Sequence, residues 1–171
     1  MEGCEDLSAN RKQPKWMSAE EAIGLIQTGR TVALGGMLAE PPTLIAELIR
    51  QRERFRHLPV YVFPAGSPCE YGNPEWKDHF ALKCFMMSFR LREAYRQGMA
   101  DYVPVNLSDL PKVMARLGPD VALIQTTPPD ELGRVNLGMA ADYTVSLVRH
   151  AKLVIAEVNP ELPWVFGAGT L

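Results

Sequence analysis

Two adjacent glycines, Gly35 and Gly36, follow a short apolar run from Thr31 to Leu34. Residues without Cβ atoms let a ligand approach the backbone and leave amides as donors to an anion such as a carboxylate. The same pair equally makes a tight strand-to-helix turn with no ligand. Glu40, just before Pro41-Pro42, is either a charged contact in the same crevice or an acid at a helix N-terminus, where the dipole favours it. Ser67, in the long loop after the next apolar run, offers a hydroxyl to a carboxylate or is an ordinary turn serine. Ser88 follows a further apolar run and belongs at the same strand ends.

Other chemistries find less support. Ser67 has no G-x-S-x-G surroundings, which argues against a hydrolase nucleophile. GGMLAEP does not fit the dinucleotide fingerprint, and Gly167-Ala168-Gly169 is a bare GxG with no helix after it. Cys4, Cys69 and Cys84 show no CxxC spacing, and His57, His79 and His150 show no paired spacing. Neither a disulfide framework nor a metal site is expected. Asp142-Tyr143 reads as a helix N-terminal charge, and Phe85, Met86, Met87 and Phe89 read as core packing.

The elements that must position these residues follow from apolar patterning. Asp120 to Gln125 and Leu153 to Val158 are nearly all apolar, as parallel strands covered on both faces are. A helix between them makes a strand–crossover–strand unit and an α/β layered domain, whose strand-end loops carry chemistry. Upstream, Ser18 to Glu21 is a capping box opening a helix that Gly29 ends. Pro41-Pro42 opens a second helix, with Leu44, Ile45, Leu48 and Ile49 on its buried face. Further strands are expected at Val60 to Phe63, Cys84 to Met87 and Tyr102 to Val105. Helices are expected at Arg90 to Gln97 and Ser108 to Leu117, closed by Gly98 and Gly118. Residues 64–78 form a loop long enough to suggest a function, and Pro128 to Gly133 form a turn. Met1 to Lys15 reads as a flexible lead-in to a domain covering 16–171.

The chain has 171 residues, enough for one substantial core, and a formal net charge of −2 from 18 basic and 20 acidic residues. That balance argues against a nucleic-acid partner. Arg50, Arg52, Arg54 and Arg56 sit at a helix end, where cations complement the dipole. No apolar run approaches the roughly 18 residues that span a bilayer. The first fifteen residues lack an apolar signal core, so a cytoplasmic location is expected.

Several segments together resemble the N-terminal half of the acetyl-CoA hydrolase/transferase family, and within it the butyrate and 4-hydroxybutyrate CoA-transferases. They are Ala19-Glu20-Glu21-Ala22, Ala39-Glu40-Pro41, Arg92-Glu93-Ala94 and Ala100-Asp101-Tyr102. Asp120 to Gln125, Pro128-Pro129-Asp130, Gly133, Gly138 and Asp142-Tyr143-Thr144 follow, then Ala151 to Asn159 and Pro163. The resemblance implies a doubly wound, mostly parallel α/β fold with helices on both faces, of the type shared with sugar-phosphate isomerases. No basic phosphate-binding loop supports an isomerase. The resemblance implies acyl-CoA and short-chain carboxylates as substrates, with the coenzyme A thioester a substrate and no cofactor tightly bound. It also implies a second, similar domain holding the nucleophilic glutamate, with the active site between the two. That glutamate attacks the thioester to give an anhydride. The released thiolate then returns to form a glutamyl-CoA thioester, which the second carboxylate resolves. This chain is therefore expected to supply part of an acyl pocket, from Gly35, Gly36, Glu40, Ser67 and Ser88, and to be inactive without a catalytic half or an oligomeric partner. In place of the family's frequent Gly-Asp-Ser it has Gly167-Ala168-Gly169. The rival expectation is a non-catalytic domain that only binds a second subunit.

Overall fold

In the computed structural model, which describes residues 14–64 and 68–171, six strands form one sheet in the order β4-β3-β2-β1-β5-β6. They are β1 (Val32–Leu34), β2 (Leu58–Val62), β3 (Phe80–Cys84), β4 (Ala100–Tyr102), β5 (Val121–Thr126) and β6 (Leu153–Val158). Every pairing is parallel, as the uninterrupted apolar run of β5 requires, all six of its residues being buried. The helices are α1 (Ala19–Gly24), α2 (Pro42–Arg50), α3 (Arg92–Arg96), α4 (Leu110–Leu117) and α5 (Thr144–His150).

Alternation along the strands sends side chains to two cores. Val32, Leu34, Val60, Leu82, Val121 and Leu123 meet Ile23, Leu44, Leu48 and Ala94 of α1, α2 and α3. Ala33, Ala122 and Ile124 meet Leu110, Met114, Leu147 and Val148 of α4 and α5 on the other face. Helices thus cover both faces, and the sheet is doubly wound. Chain direction across the sheet reverses at β1, which lies between β2 and β5. Crevices open at such a point, beyond the carboxyl ends of the strands.

Caps explain where the helices begin and end. Ser18 accepts from Glu21 N while the Glu21 carboxylate takes Ser18 N, the reciprocal box the sequence announced. At α2, Pro41 and Pro42 provide no capping side chain. Glu157 of β6 caps it instead, its Oε2 accepting from Thr43 N at 2.8 Å and Leu44 N at 3.1 Å, and its Oε1 from Thr43 Oγ1 at 2.8 Å. At the amino ends of the strands, Asp120 accepts from Thr31 N (2.9 Å), Thr31 Oγ1 (3.0 Å) and Lys152 (2.8 Å). Lys152, then the Thr31 amide, hold its carboxyl well below the usual carboxylate range.

Several boundaries differ from the sequence expectation. The third strand is Phe80–Cys84, not Cys84 to Met87, because alternation of buried Phe80, Leu82 and Cys84 with half-exposed Ala81 and Lys83 fixes it earlier. Phe85 packs in the second core, whereas Phe89 is exposed beneath the Arg90 guanidinium at 5.1 Å. The fourth strand is Ala100–Tyr102, two residues before the expected start. The first helix ends at Gly24, and Gly29, at φ +78°, makes the turn into β1. The second strand begins at Leu58 and contains Pro59. This is tolerated because pairing with β1 starts only at Val60, so no partner there awaits an amide at Pro59. The loop before β3 contains two 3-10 turns, Glu70–Gly72 and Pro74–Trp76.

Candidate functional site

At the reversal point the loop after β1 is held by its own amides. Gly35 N donates to Leu123 O at 2.8 Å, Gly36 N to Thr144 Oγ1 at 2.9 Å and Met37 N to Phe63 O at 3.1 Å. Gly35 and Gly36 are buried. The donors that the sequence offered to an anion are therefore spent inside the fold. The missing Cβ atom of Gly36 has an internal cause as well, since a Cβ there would lie 2.3 Å from Asp142 Oδ2 and 2.7 Å from Tyr143 Cε1. A Cβ at Gly35 would meet Ala39 O at 2.6 Å. What this loop exposes is apolar, Met37 and Leu38.

Glu40 closes the same loop and is 8% exposed. It does not serve the N-terminus of α2, a place Glu157 has taken. Its Oε1 accepts from Tyr71 Oη at 2.9 Å, and its carbonyl accepts from Gln125 Nε2 at 3.1 Å. Gln125 Oε1 in turn accepts from Asn159 Nδ2 at 2.5 Å. Burial, then the Glu40 charge, pushes the Tyr71 phenol far above its usual range, so it stays a donor. A polar chain thus crosses the carboxyl ends of β1, β5 and β6 from the loop after β2. Sequence reasoning missed Tyr71, Gln125 and Asn159. The one available signal was the polar end of the apolar run at Gln125.

Beneath the loop, Asp142 Oδ1 accepts from Thr144 N at 2.8 Å and from Thr144 Oγ1 at 2.7 Å, the helix-start role expected of it. Its Oδ2 is buried with no hydrogen-bond partner among the described residues. Tyr143 donates to Leu34 O at 2.9 Å. Burial first, then Asp142 and Glu40, raises its phenol well above the ordinary value. Ser88, half-buried, follows β3 at the same end of the sheet, where its Oγ accepts from Arg90 N at 3.3 Å. Ser67 lies outside the described residues. The structure thus places Gly35, Gly36 and Glu40 in one loop and Ser88 two strands away.

Ser146 Oγ lies 3.4 Å from His150 Nδ1, but it donates to Pro111 O, and that ring nitrogen bonds Ser146 O at 2.8 Å. Among the described residues, no group of three or more His, Cys, Asp or Glu side chains could hold a metal. No helix among them is long and apolar enough to cross a membrane.

The profile of the acetyl-CoA hydrolase/transferase N-terminal domain matches residues 4–169. The chain belongs to this family. It is 32% identical over 155 residues to the 4-hydroxybutyrate coenzyme A transferase of Clostridium kluyveri, covering 90% of this chain and 36% of that protein. It is 31% identical over 163 residues to the succinyl-CoA:acetate/propanoyl-CoA:succinate CoA transferase of Fasciola hepatica, covering 92% of this chain and 34% of that one. The chain thus spans about a third of the length of these relatives. Among solved structures, RipA from Yersinia pestis superposes with a TM-score of 0.84 at 27% identity, over 91% of this chain and 39% of that one. The 4-hydroxybutyrate CoA-transferase of Porphyromonas gingivalis, at 23% identity and a TM-score of 0.72 over 91% of this chain and 36% of that one, shares the fold. The acetyl-CoA hydrolase/transferase reading of the sequence and its doubly wound fold both hold.

Proposed function

We propose that this domain forms the acyl-facing half of a CoA-transferase or acyl-CoA hydrolase acting on short-chain acyl-CoA and carboxylates. In the transfer, the thioester bond of the donor breaks, its acyl group leaves as a carboxylate, and a thioester forms on the acceptor acid. The observation that carries the reading is the family match over 4–169; Gly35, Gly36 and Glu40 follow β1, the strand at the reversal point of the sheet, which is the place where α/β sheets bind ligands. Ser67 and Ser88 belong to the same strand ends in this reading. The nucleophilic glutamate comes from outside the chain. Glu40 is buried and bonded to Tyr71, and Glu157 is bound by three donors of α2. Burial of Glu40 and the seating of Glu157 on the first turn of α2 keep both carboxylates away from an incoming thioester. Exposed Phe166 and Leu132, at 94% and 75%, supply apolar surface for the half or partner that completes the site.

The test compares the longest natural polypeptide containing this domain with the 171-residue chain, each given acetyl-CoA and butyrate while butyryl-CoA and free CoA are followed. The longer protein should form butyryl-CoA, or free CoA if water is the acceptor, and the 171-residue chain should form neither. Turnover by the short chain that disappears in Glu40→Gln or Glu157→Gln would place the nucleophile here. Absence of both products from the longer protein would leave the partner-binding role.

A further inference from the structure

The two margins of the sheet are built differently. β4 is three residues long, and its Asp101 forms an ion pair with Lys83 of β3. Short length and charge are common means of keeping a margin from pairing further. β6 is six residues long, without lysine or proline, and it matches β5 residue for residue from Leu153 to Val158, so no bulge interrupts it. Its one charge, Glu157, is turned onto α2 and held by Thr43 and Leu44.

Backbone direction shows what this margin offers. Leu153 N donates to Asp120 O at 3.0 Å and Asn159 N to Thr126 O at 2.8 Å. In a parallel ladder the N–H and C=O of one residue face the same neighbour, and those of the next residue face away. Ile155 and Glu157 therefore also face β5, while Val154, Ala156 and Val158 aim their N–H and C=O groups off the sheet. Among the described residues no strand pairs with that side. The side chains agree: Ala156 is exposed and Leu153, Val154 and Val158 are half-buried, although the run begins as apolar as fully buried β5.

We infer that this margin takes a further strand, apolar and antiparallel to β6, from a later part of the same polypeptide. The chain covers 36% and 34% of two relatives, so a protein of their length has other segments to supply it. Thr170 is bridged to Asn136, and Asn136 O accepts from Thr127 N at 2.9 Å, just past the end of β5. Leu171 thus lies at the carboxyl end of the strand beside β6. A chain running on from there meets β6 at its carboxyl end and passes toward its amino end, the antiparallel sense, which needs no crossover. So placed, it pairs the outward groups of Val154, Ala156 and Val158 and covers their side chains.

Amide hydrogen exchange on the longest natural polypeptide containing the domain tests this. Tyr102 is the internal reference, since Val103 N donates to Cys84 O and so turns the Tyr102 amide away from β3 at the guarded margin. Corrected for intrinsic rates, the amides of Val154, Ala156 and Val158 should exchange slower than that of Tyr102 by about a hundredfold or more. In the 171-residue chain they should exchange within about tenfold of it, with the amides of β5 still protected. Ala156→Pro removes one outward donor and none of the ladder to β5, and in the longer protein it should speed exchange at Val154 and Val158 by about tenfold. Equal rates at Tyr102 and at the three β6 amides in the longer wild type would overturn the inference, whether or not the proline variant folds. So would protection that persists in the 171-residue chain, that vanishes on dilution as pairing with a second copy would, or that a folded Ala156→Pro variant keeps unchanged. No turnover is read, so these results stand apart from the CoA-transfer reading.

Discussion

Replacing Gly36 by alanine tests whether the glycine serves the fold's own packing. The new methyl would lie 2.3 Å from Asp142 Oδ2, 2.7 Å from Tyr143 Cε1 and 2.9 Å from Asp142 Cγ. Neither neighbour can withdraw freely. Asp142 is held by two bonds to Thr144, and Tyr143 is buried and bonded to Leu34 O. Overpacking of this kind costs about 1–3 kcal/mol, and loss of one buried or charge-assisted bond as Asp142 turns adds about 1–3 kcal/mol. Against this stands a gain of about 0.4–1 kcal/mol from a stiffer unfolded chain, because the Gly36 φ of −74° suits alanine. The net loss is about 1–5 kcal/mol. With a urea m-value of about 2 kcal/mol/M, the midpoint should fall by about 0.5–3 M with m unchanged. Gly24→Ala is the control, since nothing lies within 4 Å of its Cβ position, and it should be neutral or stabilising. A Gly36→Ala midpoint equal to or above the wild type would refute the reasoning.

Two further perturbations probe the carboxylates that tie distant segments. Asp120→Asn should cost about 1–2 kcal/mol at neutral pH, a figure kept low because Arg30 and Lys152 are half or more exposed and screened. The Asp120 carboxyl is depressed in the folded state, so its contribution is complete above the unfolded value near 4 and fades as the pH falls below it. Urea midpoints should therefore differ at pH 7 and draw together as the pH falls from about 4 toward about 2, and a gap that keeps its full size at about pH 2 would argue against the ion pairs. Glu157→Ala should lower stability by about 1–2 kcal/mol, the range of a lost helix cap, with Glu157→Gln intermediate. Equal melting temperatures for all three proteins would show that α2 needs no cap from β6.

The fold was legible wherever one physical cause dominated. The uninterrupted apolarity of Val121 to Ile124 reported coverage on both faces, whereas β6, equally apolar at its start, is an edge strand with only Ile155 buried; the Ser18 box and the φ of +49° at Gly118 followed from capping rules. The third strand was misplaced because Phe85-Met86-Met87 is as apolar as the strand itself, and only pairing with β2 decides between them. The candidate site was legible in position and not in polarity. Gly35-Gly36 marked the right strand end, yet its amides are consumed by Leu123 and by Thr144, 108 residues beyond Gly36, a partner that local sequence cannot reveal. Tyr71 and Asn159 carried no local signal, because their role depends on meeting Glu40 and Gln125 across the sheet.

The place of β1 between β2 and β5 sets an order of assembly during synthesis. Val32 pairs with Val60 on one side and with Val121 on the other. As the chain leaves the ribosome, β1 and β2 can join early, but the second edge of β1 waits for a strand about ninety residues downstream. Through that interval a buried, apolar strand shows an open edge, the kind of template that invites pairing with another chain. Closing so long a loop also slows the final docking. The chain between β2 and β5 thus governs how long the nascent domain stays sticky. Slower translation there should raise the demand for a chaperone without changing the native structure.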